Sequence, residues 1–246
     1  MNRFLSAVLV TALMAVMQSS ACAKEIQVYW TDNPPLICQK NGKLDCIAGL
    51  LIRNAARAGG FTIKTIEIPW ARAVVSFDKS PNAIFAATGR NEFTEKDFNW
   101  FFQVYSDKVY LFTLDDKIVK SDAEMILLQK VAIRRGSPFF DYLEKRGLVD
   151  RALATNDWHQ AVGLVAMKRV DGMLLTNLIG TTNLVDLGKL DESRINRFEV
   201  GKMSWYIISA FDKPLSADLV EFQLLMEQEK SKSYFQEMLN RFKVQN

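Results

Sequence analysis

Histidine and cysteine are scarce in this sequence: its 246 residues include one histidine, His159, and three cysteines. Protein zinc sites are usually built from several of these side chains. The sequence therefore gives no support for a zinc site, and we predict no metal, no cofactor and no catalytic residue. His159 lies beside Trp158 inside a predicted helix, where we expect a partly buried, structural histidine.

An excess of charge of either sign is also missing. The 31 basic and 28 acidic residues leave a formal net charge of +3. The basic residues are scattered along the chain, so the sequence lacks the clustered basic surface of nucleic-acid-binding domains. With 49% hydrophobic and 24% charged residues, the composition is that of an ordinary globular protein.

Long hydrophobic runs are absent outside the N-terminus. One arginine precedes an uncharged apolar run from Phe4 to Met17, and Ala-Cys-Ala follows at residues 21–23. This pattern predicts a cleaved signal peptide at residues 1–23 and therefore a periplasmic protein. The run is shorter than the ~20 residues that cross a bilayer. The alternative is a lipoprotein anchored through Cys22, although the leucine expected three residues earlier is missing.

The other two cysteines, Cys38 and Cys46, are predicted to form a disulfide, because an even pair in an exported protein is normally oxidised. The segment between them contains Asn41-Gly42, a strong signal for a hairpin turn. We interpret the bond as a staple of this short loop.

Strands and helices are predicted to alternate, which favours an α/β fold with mostly parallel sheets and right-handed crossovers. The predicted strands are residues 25–30, 61–68, 83–87, 109–114, 130–133, 172–175 and 204–211. The predicted helices are residues 47–58, 70–77, 121–129, 139–146, 156–168, 216–229 and 233–242.

Thr88, Gly89 and Arg90 follow a buried strand directly, and ligands of α/β proteins bind at the carboxyl ends of strands. Arg90 is a candidate for holding an anionic group through paired hydrogen bonds. The alternative is a solvated surface arginine. The other ligand-binding candidates also follow strands or begin helices: Trp30, Asn33, Trp70, Arg72, Ser137, Thr176 and Asn177.

Several short motifs in this order resemble the bacterial extracellular solute-binding proteins of family 3, the type II periplasmic binding proteins. The resemblance spans the chain from Glu25 onward. The motifs are Asn33-Pro34-Pro35-Leu36, Gly49-Leu50-Leu51, Pro69-Trp70-Ala71-Arg72-Ala73, Arg90 with Glu95, Phe98 and Trp100, Arg135-Gly136-Ser137, and Arg169-Val170-Asp171-Gly172.

The resemblance implies two lobes, each a mostly parallel sheet flanked by helices, joined by two crossover strands near residues 106–113 and 202–207. Lobe 1 is expected at residues 24–111 and 206–246, and lobe 2 at residues 112–205. Such a protein traps a small ligand between its lobes and presents it to an inner-membrane ABC permease. We expect it to act as a monomer.

The sequence departs from amino-acid-binding members of this family at two positions. Thr94 stands where they carry the arginine that binds the α-carboxylate, and Thr176 stands where they carry the aspartate that binds the α-ammonium group. We therefore expect a small polar ligand, anionic or aromatic, that is not a standard α-amino acid. The alternatives are a sensor that serves a membrane receptor and an enzyme resembling cyclohexadienyl dehydratases.

Overall fold

The structure is a computed structural model that describes residues 24–69, 72–73, 81–90, 95–96, 98–115, 117–210 and 213–243. For residues 241–243 only the backbone is described. The predicted signal peptide, the candidate Trp70, and Thr94, one of the two positions that depart from the family pattern, lie outside the described residues. None of the described helices is long and apolar enough to cross a membrane.

One eight-stranded sheet dominates the described chain, in the order β4-β1-β5-β10-β6-β9-β7-β8. A separate hairpin is formed by β2 and β3. The strands are β1 Glu25–Trp30, β2 Cys38–Lys40, β3 Lys43–Asp45, β4 Thr62–Glu67, β5 Ala83–Arg90, β6 Asn99–Leu114, β7 Val131–Arg134, β8 Ala152–Thr155, β9 Gly172–Thr176 and β10 Ile195–Ser209.

Two long antiparallel strands, β6 and β10, run through the middle of the sheet and pair from Ile195 with Leu114 to Ser209 with Asn99. On one side of them, here called the β1 side, β1 pairs in parallel with β4 and β5. On the other, the β7 side, β7 pairs in parallel with β8 and β9. The predicted α/β fold class is confirmed, with β6 and β10 as two long strands that join two parallel groups of strands within one continuous sheet. The lobe boundaries given above stay a prediction.

Helices cover the sheet, and the first helix illustrates how the sequence sets its ends and its buried face. At the start of this helix, the Asp45 side chain accepts a hydrogen bond from the backbone N–H of Cys46. Gly60 ends the helix in the left-handed region, at φ 68°. Leu51, Ile52 and Ala55 lie on its buried face. The helices are α1 Cys46–Gly59, α2 Asp122–Met125, α3 Phe140–Glu144, α4 Trp158–Ala166, α5 Asn177–Asp186, α6 Ala217–Lys230 and α7 Ser233–Lys243.

Two of the helix predictions need correction. Helix α5 was not predicted, because its glycine and threonines are weak helix formers, but its leucines and isoleucine are buried and packing stabilises it. The helix predicted at residues 121–129 ends at Met125. Beyond it, the backbone N–H groups of Gln129 and Lys130 donate to the Asp171 carboxylate, 2.5 and 3.0 Å away, instead of continuing the helix.

Asp171 also pairs with Lys117 and so joins three loops. Burial alone would raise the pKa of Asp171, but the hydrogen bonds from Lys117, Lys130 and Gln129 outweigh it and lower the pKa below its usual value.

The disulfide between Cys38 and Cys46 is confirmed, with the two Cα atoms 5.5 Å apart. Its cysteines flank the β2–β3 hairpin, whose turn holds Asn41 at φ 51° and Gly42 at φ 71°. Two consecutive left-handed residues are what an Asn-Gly hairpin turn requires. The sequence signals for the turn and for the disulfide were therefore consistent.

Candidate functional site

A cleft of about 700 Å³ lies between the β1 side and the β7 side. Among the described residues, four short segments line it: residues 31–32, 67–69, 134–135 and 156–159. These segments lie at or directly after the carboxyl ends of β1, β4, β7 and β8. The volume falls within the range of about 300–1,000 Å³ found for small-molecule sites.

Strand register brings these ends together in pairs. The last residues of β1 and β4, Trp30 and Glu67, are register partners in a parallel pair. Arg134 and Thr155, the last residues of β7 and β8, are partners in the second parallel pair. Each wall of the cleft is therefore built from two neighbouring strand ends, which is where α/β sheets place their ligands.

Arg134 is the most unusual side chain of the cleft. It is 8% exposed, and its Nε has no hydrogen-bond partner among the described residues. Its guanidinium carbon lies over the Trp158 ring, 4.9 Å from the ring centre, which is a cation–π contact. Burial lowers the pKa of Arg134 to about 10, against the opposing effect of the Asp157 charge. The arginine is still a cation at neutral pH.

Helix α4 begins at the cleft. The Asp157 carboxylate accepts from the backbone N–H of Gln160 at 2.8 Å, and the Gln160 side chain accepts from the backbone of Asn156 at 2.8 Å. The helix is capped by Asp157 and begins at Trp158, so the predicted start, with Asn156 as the capping residue, was one residue too early. Trp158 and His159 form the first turn, whose N–H groups point out of the helix end.

His159 is exposed and lines the cleft. The expectation of a partly buried structural histidine is therefore wrong. The residue lies in the first turn of α4, on the side of the helix that faces the cleft, and not on the face that packs against the sheet.

The opposite wall carries negative charge. Asp32 and Glu67 line it, and no described residue pairs with either carboxylate. Burial raises the pKa of Asp32, and the charge of His159 across the cleft lowers it by a smaller amount. Since the β7 side contributes Arg134, Arg135 and His159, the cleft has an acidic wall and a mainly basic wall.

Buried polar atoms without a partner concentrate around this cleft. Nine side-chain nitrogen or oxygen atoms of the described residues are of this kind, and six belong to residues that line the cleft or lie within two positions of its lining. They belong to Trp30, Asn33, Arg134, Ser137, Thr155 and Trp158. Native proteins leave few such atoms, so their concentration makes this cleft the candidate functional site.

Three of the sequence-predicted site residues lie near the cleft without lining it. Trp30, Asn33 and Ser137 are 2%, 3% and 4% exposed, and each carries one of these unpartnered atoms. Arg72 is exposed and does not line the cleft.

The three candidates at the end of β5, Thr88, Gly89 and Arg90, do not line the cleft. Arg90 forms an ion pair with Glu95, and its guanidinium lies 5.3 Å from the Trp100 ring centre and 5.1 Å from that of Tyr206. The hydrogen bonds that Arg90 donates to the Glu95 carboxylate raise the pKa of Arg90. Thr88 is 4% exposed. A Cβ on the neighbouring Gly89 would lie 2.2 Å from the Met203 sulfur, so a larger residue there would displace the Met203 side chain.

The last two candidates lie at the start of α5. Thr176 is fully buried and accepts a hydrogen bond of 3.3 Å from the Trp205 indole nitrogen. Asn177 begins the helix. Neither lines the cleft, and like the β5 group they stay predictions as ligand contacts.

Sequence reasoning missed the charged residues that do line the cleft, Glu67, Arg134, Arg135 and Asp157. Their common signal was available: each lies at the end of a strand or just before a helix. Among the described residues, no cluster of three or more His, Cys, Asp or Glu side chains is suited to a metal ion.

The architecture matches solved structures over nearly the whole chain. A substrate-binding protein of an ABC uptake transporter from Streptococcus pneumoniae, with bound histidine, superposes with a TM-score of 0.74 at 15% identity, over 89% of this chain and 92% of the other. The chain has a periplasmic-binding-protein fold. A histidine kinase sensor domain with similarity to periplasmic binding proteins gives a TM-score of 0.72 at 16% identity, over 89% and 96%.

The GluR0 ligand-binding core from Nostoc punctiforme, in complex with L-glutamate, gives a TM-score of 0.70 at 17% identity, over 88% of this chain and 98% of the other. No protein-family model matches the sequence, and no curated protein sequence does. These likenesses confirm the fold anticipated from the sequence motifs, and at such identities they carry the fold alone.

Proposed function

We propose that this protein is a periplasmic solute-binding protein that traps a small polar ligand in the cleft between its two lobes and delivers it to an ABC-type importer. The observation that carries this proposal is the concentration of unpartnered buried polar atoms around a cleft of ligand size. The signal-peptide pattern supports the periplasmic location.

A contact between the β7 side and the β1 side supports a closing motion. The Asn183 side chain on α5, which belongs to the β7 side, donates a 2.8 Å hydrogen bond to the Pro34 carbonyl, which follows β1. The same amide group donates to the Ile179 carbonyl of its own helix at 2.7 Å. Opening the cleft breaks the first bond and leaves the second, so β6 and β10 serve as the hinge of a two-lobed closure.

For the ligand, we propose a small polar molecule that is not a standard α-amino acid. The supporting argument is the pair of threonines, Thr94 and Thr176, at the two positions where an arginine and an aspartate are expected. Without these charges, an α-carboxylate and an α-ammonium group lose their partners on closure, which costs several kcal/mol. Because the cleft carries its charges on other residues, the ligand must present its polar groups differently.

A thermal-shift screen of periplasmic nutrients and metabolites tests the proposal. A ligand at 100 times its Kd adds about 2.7 kcal/mol to the free energy of unfolding. We expect at least one small polar compound to do so, and substitutions in the cleft lining to abolish the shift. Arg90→Ala is the matched control outside the cleft, and loss of binding in this variant alone would move the site to the end of β5. A screen without any binder would contradict the proposed function.

A sensor is the second candidate, because a histidine kinase sensor domain superposes over 89% of this chain. Pull-down by a membrane receptor in the presence of ligand, without ligand-dependent binding to a permease, would favour the sensor. The cyclohexadienyl-dehydratase-like enzyme remains a further alternative, and formation of product from prephenate-like acids would favour it.

A further inference from the structure

Arg134 places an uncompensated positive charge inside the cleft wall. The residue is 8% exposed, its Nε lacks a partner, and no described carboxylate forms an ion pair with it. The acidic group whose charge acts on Arg134 is that of Asp157, and this carboxylate is engaged at the start of α4. A buried charge without a partner is costly, and an anionic group of a ligand supplies the missing partner.

The surroundings of Arg134 favour an oxyanion. The guanidinium lies over the Trp158 ring, which restricts its movement, and a guanidinium can donate paired hydrogen bonds to two oxygens of one group. The first turn of α4, with the backbone N–H groups of Trp158 and His159, lines the same cleft. Free N–H groups at a helix start favour negative charge.

The opposite wall favours a group of the other sign. Asp32 and Glu67 both line it and have no partner among the described residues. A ligand with a negative group at each end would place one of these groups against the two carboxylates. A ligand with a cationic end would be attracted to them, while its oxyanion faces Arg134.

We propose that the ligand is amphoteric: a carboxylate, phosphate or sulfonate group binds Arg134 and the start of α4, and a cationic group at the other end binds Asp32 and Glu67. This inference rests on the proposed function, since it names the ligand class of the same cleft. It places the negative group of the ligand on the β7 side and its positive group on the β1 side.

Three matched series of straight-chain compounds test the charge pattern: ω-amino carboxylates, dicarboxylates and diamines, each over a range of chain lengths. Titration calorimetry on the mature protein at neutral pH gives their affinities. We expect the tightest binder to be an ω-amino carboxylate longer than an α-amino acid. The proposal is overturned if a dicarboxylate or a diamine binds most tightly, or if no member of the three series binds.

Substitutions then test the residues. Arg134→Met should weaken the tightest ω-amino carboxylate about 10- to 100-fold, the range for a lost hydrogen bond to a charged group. Asp32→Asn should reduce the preference for ω-amino carboxylates over dicarboxylates of equal length. Arg151→Met, which removes an arginine outside the cleft lining, should leave all affinities unchanged. Unchanged binding in Arg134→Met, with the fold intact by circular dichroism, would overturn the assignment.

The outcome also separates this inference from the proposed function. If the three series fail while another small molecule binds and is lost on substitution of the cleft lining, the protein is a binding protein and the amphoteric class is wrong. If no small molecule binds at all, the proposed function fails and this inference fails with it.

Discussion

Replacing Arg134 by methionine should stabilise the ligand-free protein. Methionine keeps the length and packing surface of the side chain against Trp158 but removes the buried charge. Burial lowers the pKa of Arg134 from 12.5 to about 10, and at about 1.4 kcal/mol for each tenfold change in proton affinity this corresponds to a cost of about 3 kcal/mol. The cost applies at every pH below about 10, because the folded protein keeps the arginine charged there.

The measured gain should be smaller, because water entry and relaxation reduce the penalty of real buried charges. We expect the free energy of unfolding of Arg134→Met to rise by about 1–3 kcal/mol, and the melting temperature by at least about 2 °C for a chain of this size. Urea unfolding of the ligand-free protein at pH 7 measures this change in the free energy of unfolding.

Arg151→Met is the matched control, since Arg151 donates a 3.0 Å hydrogen bond to Gln129 at an exposed position. Its effect should stay within about 0.5 kcal/mol. If Arg134→Met were less stable than the original protein while the control was unchanged, the guanidinium would have a stabilising partner in the free protein, and the reasoning would be wrong.

Three further predictions concern stability. Asp171→Ala should lose about 1–2 kcal/mol at pH 7, because the exposed backbone N–H groups of Gln129 and Lys130 lose hydrogen bonds to a charged acceptor. Since hydrogen bonds lower the pKa of Asp171 although burial alone would raise it, the loss should shrink as the pH falls below 3.8, and an equal loss at acid pH would argue against this reason. The double substitution of Cys38→Ser and Cys46→Ser should lower the free energy of unfolding by about 2.5 kcal/mol, because the unfolded chain gains loop entropy. Urea unfolding measures the difference, and an unchanged stability would mean that the disulfide does not form. Asp32→Asn should raise the free energy of unfolding of the ligand-free protein at pH 7, because burial raises the pKa of Asp32 and so disfavours its charged form. This gain in stability should vanish below pH 3.8, and a gain that persists in acid would have another cause.

Local signals were sufficient for much of the fold. Alternating strand and helix patterns predicted the parallel units, and the Asn41-Gly42 turn located the hairpin that Cys38 and Cys46 flank. The full lengths of β6 and β10 were underestimated. Charged residues such as Lys108 and Glu199 interrupt their hydrophobic pattern, and these two pair with each other across the strands at 2.6 Å.

The site was harder to predict, because a sequence shows where strands end but not which ends are neighbours. Arg90 was chosen since it ends a buried strand, but Glu95, five residues later, neutralises it. Arg134 also ends a strand, beside a second arginine, and nothing local indicated that it would be buried. Its burial depends on Trp158, which is 24 positions later in the sequence and comes beside it only through the pairing of β7 with β8.

Hydrogen exchange with and without the strongest binder of the ligand screen tests the central claim most directly, because it locates the ligand without assuming its identity. The account predicts slower exchange of backbone amides on both walls of the cleft at once, at residues 31–32 and 67–68 on one and at residues 134–135 and 156–159 on the other. Slower exchange confined to the end of β5 around Arg90, with both walls of the cleft unchanged, would contradict it.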